Sequence, residues 1–197
     1  MTIAIIDSGG ANIASLRFAL QRLGAESVLT RDPRVLESAS HILLPGVGAA
    51  ADAMVRLRES GLDAVIPRLT QPLLGICLGM QLLFADSAEG QVACLGIIDQ
   101  GVRPLAGGPG LSIPHMGWNQ IKRSGDCPLI DGLDDGEYFY FVHSYAADPG
   151  PATRATSEHG VAFSAVVGRD NFYGTQFHPE RSGRAGAAVL RNFLELK

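Results

Sequence analysis

The sequence has no excess of positive charge and no long apolar segment. Its formal net charge is −4, so it lacks the basic surplus that attracts the phosphate backbone of nucleic acids. It starts with Met-Thr and enters a strand-like segment directly, without the basic and apolar regions of a secretory signal. No apolar run approaches the roughly 20 residues that a membrane helix needs. We therefore expect neither nucleic acid nor a membrane as a partner, and no export.

Cysteine is also scarce, and it occurs only at Cys77, Cys94 and Cys127. The number is odd and no C-x-x-C spacing occurs, so the sequence predicts neither a disulfide framework nor a zinc site. A reducing cytoplasm fits this pattern best. We expect a protein that uses no metal and no cofactor.

Glycine, in contrast, is abundant, with 24 of 197 residues. Because 46% of the residues are hydrophobic and 18% are charged, the glycines indicate many tight turns in a folded chain rather than disorder. The length fits one domain with a sizeable core, which we place at 1–197. Functional residues are expected at the turns.

The order of apolar and amphipathic segments predicts an α/β fold. In roughly the first 85 residues, short apolar runs alternate with helical stretches, a βαβα pattern that implies a parallel sheet. A further helix should start at Pro33 behind the N-cap Asp32, and Gly24 should end the helix before it. The predicted strands cover 2–7, 26–30, 41–44 and 72–76, and the other predicted helices cover 12–23, 50–60 and 78–84.

The second half of the chain has a different pattern. From about 101 to 177, strand-like segments are separated by turn residues without helices, which predicts antiparallel or mixed pairing. The clearest strands are expected at 138–142, 161–167 and 171–177. The last segment, 182–197, is typical of an amphipathic helix that packs Ala188, Leu190, Phe193 and Leu194. Together the patterns predict an open, mostly parallel central sheet flanked by helices, with additional antiparallel strands.

The segment Gly75-Ile76-Cys77-Leu78-Gly79 carries the strongest chemical signal. It follows an apolar strand and precedes an apolar helix, the context of the G-x-S-x-G nucleophile elbow with sulfur in place of oxygen. Side chains at the two glycine positions would clash with the chain at such a sharp turn. N–H groups at the helix start favour a thiolate, and the N–H of Leu78 can donate to an oxyanion. We interpret Cys77 as a nucleophile; the alternative, a buried unreactive cysteine, is retained for Cys94 and Cys127.

A second motif, Phe177-His178-Pro179-Glu180, lies near the end of the chain. Residues i and i+2 of an extended stretch face the same side, and proline favours extended backbone at the residue before it. We therefore expect His178 beside Glu180, where a carboxylate supports the imidazolium that forms when the ring accepts a thiol proton. Taken alone, the tripeptide is equally compatible with a surface ion pair. With Cys77 it predicts a Cys-His-Glu triad.

The turn Pro45-Gly46-Val47-Gly48 follows the strand predicted at 41–44, so it leaves the sheet at the same carboxyl edge as Cys77. Ligands bind at this edge in open α/β sheets. Glycine lets a peptide rotate cheaply and present its N–H to an oxyanion. A phosphate-binding loop and a plain turn are the alternatives for this segment.

In their order and spacing, the three motifs resemble the class I glutamine amidotransferases of the triad type, and the resemblance covers most of the chain. Three more segments, at 114–119, at 140–145 and around Asn12, resemble the glutaminase subunits that serve a cyclase in histidine biosynthesis. In the turn at 8–13 the chain has Ala and Ile where many relatives have Gly and Leu.

The resemblance implies the class I amidotransferase fold and the hydrolysis of glutamine through a glutamyl thioester on Cys77. His178 would act first as a base and then as an acid, with Glu180 beside it. The oxyanion hole would be formed by Val47, Gly48 and Leu78. Glutamine would be bound by Gln81, Glu89, Ser144 and Tyr145.

The resemblance also implies a protein partner. Ammonia would pass to a cyclase subunit, a (β/α)8 barrel, within a heterodimer. The surface facing this partner would include Asn12, Met116, Trp118 and Tyr138. Trp118, the only tryptophan, also suits a core aromatic, and its place in a loop between Gly117 and Asn119 suits an interface anchor.

Three rival proteins share parts of the pattern. A cysteine sensor or chaperone on an α/β sheet would oxidise its elbow cysteine, and it would not need His178, Glu180 or Gln81. A flavodoxin-like module would bind phosphate at the glycine turns and leave Cys77 and His178 without a role. The glutaminase of pyridoxal phosphate synthesis would share the triad but lack the segment at 114–119 in this form.

Overall fold

The computed structural model describes residues 2–9, 13–108 and 110–197. The strands in these ranges are β1 (Ile3–Ile6), β2 (Ser27–Thr30), β3 (His41–Gly46), β4 (Leu73–Cys77), β5 (Phe84–Ser87), β6 (Val92–Ala93), β7 (Ile98–Pro104), β8 (His115–Gln120), β9 (Lys122–Arg123), β10 (Tyr138–His143), β11 (Tyr145–Ala147), β12 (Thr153–His159), β13 (Val161–Arg169) and β14 (Phe172–Thr175). The α-helices are α1 (Ile13–Arg22), α2 (Pro33–Ser38), α3 (Ala50–Glu59), α4 (Leu62–Val65), α5 (Leu78–Gln81) and α6 (Gly183–Glu195). None of these helices is long and apolar enough to cross a membrane.

The largest sheet has the strand order β2-β1-β3-β4-β14-β13-β12-β9. Its neighbours from β2 to β14 pair in parallel, and the pairs from β14 to β9 are antiparallel. Two smaller sheets pair β10 with β8 and join β11, β7, β5 and β6. The predicted fold class, a mostly parallel central sheet with additional antiparallel strands, is confirmed.

The core lies on both faces of the large sheet. Side chains alternate between faces along a strand, so Ile3 and Ile5 join the cluster that contains apolar residues of α1 and α6. Ala4 and Ile6 join the opposite cluster, which contains apolar residues of α2 and α3. Because both faces are covered, β1 is apolar along its whole length and does not alternate between apolar and polar residues. The sequence predicted such an apolar run for this strand.

The predicted helix boundaries near residues 24 and 32 are confirmed. Oδ1 of Asp32 accepts a hydrogen bond of 2.9 Å from the backbone N–H of Arg34, and Pro33 is the first residue of α2. Gly24, just after α1, has a φ of +76°, which a residue with a side chain rarely adopts.

The predicted helix at 78–84 was too long. Helix α5 ends at Gln81, and Phe84 starts the strand β5, which pairs with β6 and β7. Leu82, Leu83 and Phe84 are fully buried, and burial among strands overrides the helical preference of the leucines. We had expected antiparallel pairing to start at about residue 101, and it starts earlier, with the pairing of β5 and β6.

Strand β14 pairs in parallel with β4 on one side and antiparallel with β13 on the other, which agrees with the expected antiparallel or mixed pairing. One further detail differs from the prediction. Helix α6 buries Val189 together with Leu190 and Phe193, whereas Ala188 and Leu194 are only partly buried at the margin of the core.

The sheet register brings the predicted functional segments together. Gly46 at the end of β3 is aligned with Cys77 at the end of β4. On the other side of β4, Thr175 of β14 is aligned with Ile76, so the chain leaves β14 towards His178 at the same edge. This carboxyl edge is where an open α/β sheet places its ligand.

Candidate active site

Cys77 occupies a strained turn between β4 and α5. Its backbone has φ 54° and ψ −111°, a conformation that costs free energy for a residue with a side chain. The residue is only 7% exposed. Its Sγ lies 3.7 Å from the carbonyl oxygen of Val142 and 3.8 Å from Nε2 of Gln176.

The glycines around Cys77 are required by close approach of the chain. A Cβ on Gly79 would lie 1.7 Å from the carbonyl oxygen of Leu44, and a Cβ on Gly75 would lie 2.6 Å from the carbonyl oxygen of Gly79. The clash that the elbow motif predicted is therefore present at both positions. Because α5 has only four residues, its dipole is small, and the N–H groups of its single turn are the main helical contribution near the sulfur.

His178 and Glu180 form a buried pair. Nδ1 of His178 lies 2.9 Å from Oε1 of Glu180, and the two side chains are 9% and 6% exposed. The alternative of a surface ion pair is therefore wrong. Our geometric reason was also partly wrong, because Pro179–Arg181 is a 3₁₀ turn rather than a continued strand. The turn, not strand alternation, brings the carboxylate to the ring.

The electrostatics of this pair favour a protonated imidazole. Burial disfavours the charged ring, but the nearby sulfur of Cys77 and the hydrogen-bonded carboxylate of Glu180 outweigh it and raise the pKa of His178 to about 10. Nε2 of His178 is buried and has no hydrogen-bond partner of standard geometry among the described residues. One ring nitrogen is thus held by Glu180, and the other is free to exchange a proton with a ligand or with Cys77.

A cavity of about 270 Å³ opens beside Cys77 and His178. It brings together the residues predicted for the oxyanion hole and for glutamine binding. Those lining it are Val47, Gly48, Leu78, Gln81, Glu89, Ser144 and Tyr145. The remaining lining side chains are Val142 and His143, of which the sequence analysis assigned neither to the site.

Gln81 and Glu89 also make contacts within the protein. Nε2 of Gln81 donates to the carbonyl oxygen of Tyr145 at 2.8 Å and to Oε1 of Gln176 at 3.0 Å. Oε2 of Glu89 accepts from the N–H of Ala50, the first residue of α3, at 2.9 Å. Sequence reasoning missed Gln176, and the available signal was an amide side chain directly before the His178 motif.

Three of the four predicted partner-facing residues lie on the ribbon formed by β8 and β10. Met116, Trp118 and Tyr138 are 67%, 56% and 53% exposed. The alternative of Trp118 as a core aromatic is therefore wrong. Asn12 lies outside the described residues.

The other two cysteines differ from Cys77 in their surroundings. Burial raises the pKa of Cys94 to about 11 and also raises that of Cys127. A thiol with a raised pKa is a poor nucleophile at neutral pH. The interpretation of both residues as unreactive is therefore supported by their surroundings.

A strained cysteine at the end of a parallel strand, beside a buried imidazole and carboxylate, is the arrangement of α/β enzymes with a nucleophilic cysteine. Residues 4–196 match the family model of the class-I glutamine amidotransferases. The chain therefore belongs to the class I glutamine amidotransferase family, and it is an enzyme with glutaminase activity.

Curated relatives are similar over nearly the whole chain. The imidazole glycerol phosphate synthase subunit HisH of Yersinia pseudotuberculosis is 50% identical over 197 residues, which cover 100% of both chains. The subunit of the same name from Xylella fastidiosa is 50% identical over 194 residues, covering 98% of this chain and 97% of that one.

Solved structures share the fold at much lower identity. A putative GMP synthase subunit from Thermoplasma acidophilum has a TM-score of 0.76 at 20% identity, covering 98% of this chain and 92% of that one. A glutamine amidotransferase from Thermotoga maritima has a TM-score of 0.72 at 18% identity, covering 99% of this chain and 96% of that one. At these identities the likeness concerns the fold alone.

Proposed function

We propose that this protein is the glutaminase subunit, HisH, of an imidazole glycerol phosphate synthase. The observation that carries the proposal is a cavity lined by both Cys77 and His178, in which His178 is paired with the buried carboxylate of Glu180. The choice within the family is supported by identity of about 50% to HisH subunits over nearly the full chain.

In the proposed acylation step, Nε2 of His178 takes the thiol proton of Cys77, and the resulting thiolate Sγ attacks the side-chain carbonyl carbon of glutamine. The N–H groups of Leu78 and of the Val47-Gly48 turn stabilise the resulting oxyanion. His178, whose Nδ1 is held by Glu180, gives a proton from Nε2 to the leaving nitrogen. The C–N bond breaks, ammonia leaves, and a glutamyl thioester remains on Cys77.

In the proposed deacylation step, His178 acts as a base. It accepts a proton from water, which attacks the thioester carbonyl carbon in the same oxyanion hole. The C–S bond breaks and glutamate leaves, so the overall reaction consumes one glutamine and one water and releases glutamate and ammonia. Gln81, Glu89, Ser144 and Tyr145 hold the substrate in the cavity during both steps.

Ammonia is proposed to pass to HisF, a cyclase subunit in a heterodimer with this chain. HisF combines it with phosphoribulosyl formimino aminoimidazole carboxamide ribonucleotide to form imidazole glycerol phosphate and aminoimidazole carboxamide ribonucleotide. A second cavity, of about 110 Å³, adjoins the glutamine cavity and is the proposed place where ammonia leaves it. It shares Val47, Val142 and His178 with the glutamine cavity.

Glutamate formation by the purified chain, alone and with a HisF barrel and its ribonucleotide, tests the proposed function. We expect little glutamate from the chain alone and a large rise in the complex. Strong activity of the chain alone would retain a glutaminase but contradict control by the partner. No glutamate in either case would contradict the proposal and favour a cysteine sensor.

Trp118→Ala is expected to weaken binding of the barrel subunit by roughly 10-fold or more, because exposed aromatic residues often anchor interfaces. Titration calorimetry against the HisF subunit measures the change. Phe18 is similarly exposed, at 60%, but lies on α1, so Phe18→Ala is the matched control for the removal of an aromatic surface. Equal affinities of the Trp118 variant and the unmodified chain would exclude Trp118 from the interface.

A further inference from the structure

A line of hydrogen bonds connects the exposed ribbon of β8 and β10 to the glutamine cavity. Nδ1 of His115 lies 2.9 Å from Nε2 of His143, and Nδ1 of His143 lies 2.9 Å from the carbonyl oxygen of Tyr145. At the outer end, Nδ2 of Asn119 lies 3.2 Å from Nε2 of His115. Both histidines are buried, at 5% and 6% exposure, and neither has a role in the proposed mechanism.

The two ends of this line decide which ring nitrogen donates and which accepts in each hydrogen bond. A carbonyl oxygen only accepts, so Nδ1 of His143 must carry the hydrogen. Burial lowers the pKa of His143 to about 3 and that of His115 to about 4, so both rings are neutral near pH 7. Nε2 of His143 is then an acceptor, and Nδ1 of His115 must donate to it. Nε2 of His115 accepts from Asn119 in turn.

The inner end of the line reaches the cavity. The Tyr145 carbonyl oxygen also accepts from Nε2 of Gln81, whose second N–H donates to Oε1 of Gln176. The amide nitrogen of Gln176 is thereby directed towards Sγ of Cys77, at 3.8 Å. With both hydrogens of Gln81 engaged, only its Oε1 is left to meet a ligand, as an acceptor.

We propose that His115 and His143 are positioning residues of the glutamine cavity. Their fixed tautomers hold the Tyr145 carbonyl oxygen, and through it the side-chain amides of Gln81 and Gln176, in the orientation that faces Cys77 and the substrate. The inference rests on the proposed glutaminase function, since it concerns how the same cavity binds glutamine.

A purely structural role is the alternative. The His115 ring stacks on those of His159 and Phe141, with centroids 4.3 Å and 5.1 Å apart. A space-filling aromatic would need no defined tautomer, and phenylalanine would replace it. The hydrogen-bond role and the packing role therefore predict opposite effects of two substitutions at this position.

His115→Asn keeps a donor where Nδ1 stands but removes the ring, whereas His115→Phe keeps the ring but removes the donor. We expect His115→Phe to raise the KM for glutamine roughly 10-fold, the effect of one misdirected hydrogen bond, with a smaller change in kcat. The KM of His115→Asn should remain within about 3-fold of that of the unmodified chain, which is a much smaller change than that expected for His115→Phe. Both are measured as glutamate formation in the complex with the cyclase barrel. Equal effects, or a larger effect of His115→Asn, would overturn the proposal.

Ring ¹⁵N NMR of the unmodified chain gives a second test that does not depend on activity. We expect the rings of both His115 and His143 to be neutral with the hydrogen on Nδ1, and their signals are assigned by through-bond correlation to the backbone of the unmodified chain. A hydrogen on Nε2 of either ring would overturn the proposal even if a variant fails to fold. If the unmodified complex forms no glutamate, the proposed function fails instead, and the tautomers still decide whether the line of hydrogen bonds exists.

Discussion

Cys77→Ala is expected to lower glutamate formation by at least about 10⁴-fold, because loss of a nucleophile removes covalent catalysis altogether. The reason lies in the structure around the sulfur. Cys77 ends β4 in a strained conformation that positions Sγ in the cavity beside His178. Alanine keeps the backbone turn but provides no atom that can form the thioester.

The control for this prediction is a second cysteine of the same chain. Cys94→Ala removes a thiol that is outside the cavity and whose pKa is raised to about 11, so its turnover should equal that of the unmodified enzyme. Binding of Cys77→Ala to the barrel subunit should also be unchanged, because the exposed ribbon is not altered. Turnover of Cys77→Ala near that of the unmodified chain would reject Cys77 as the nucleophile.

Glu180→Gln is expected to lower kcat by roughly 10²- to 10⁴-fold, the range seen when the acid partner of a catalytic histidine is lost. The carboxylate of Glu180 is one of the two groups that raise the pKa of His178 to about 10. A neutral amide stabilises the imidazolium less, so the pKa of His178 must fall in the variant. In the variant, the ring therefore deprotonates at a lower pH. It then no longer carries the proton that it must give to the leaving nitrogen.

The dependence of the rate on pH measures this shift and gives its sign. In the unmodified enzyme, the alkaline fall in kcat/KM, which reports groups of the free enzyme, should occur only near pH 10, where His178 deprotonates. In Glu180→Gln the alkaline fall should move to lower pH. Glu59→Gln, an exposed substitution on α3, is the matched control. An unchanged rate and an unchanged alkaline limb would show that Glu180 does not support His178.

Several elements could be predicted because their signals are local. The capped start of α2 needs only Asp32 and Pro33, and the glycines around Cys77 indicate a turn at which no side chain fits. The end of α5 was not predictable in this way. Leu82 and Leu83 continue a helical pattern, and only their burial beside β5 and β7 ends the helix after Gln81.

The pairing of His178 with Glu180 was predicted for a reason that the structure does not support. Extended backbone was expected to place the two side chains on one side, whereas a 3₁₀ turn at Pro179–Arg181 does so. The exposure of Trp118 was likewise undecided, because a single aromatic residue carries no periodic signal. Pairing of β8 with β10 at the surface decides it.

The sequence by itself determined the α/β class and the three motifs that carry the chemistry, because these depend on local spacing and on residue type. Only the tertiary structure decided which polar groups meet across the chain. The line from Asn119 through His115 and His143 to Gln81 and Gln176 joins residues far apart in sequence. Hydrogen bonds need distances near 3 Å, and no spacing rule in one dimension specifies such distances between separate strands.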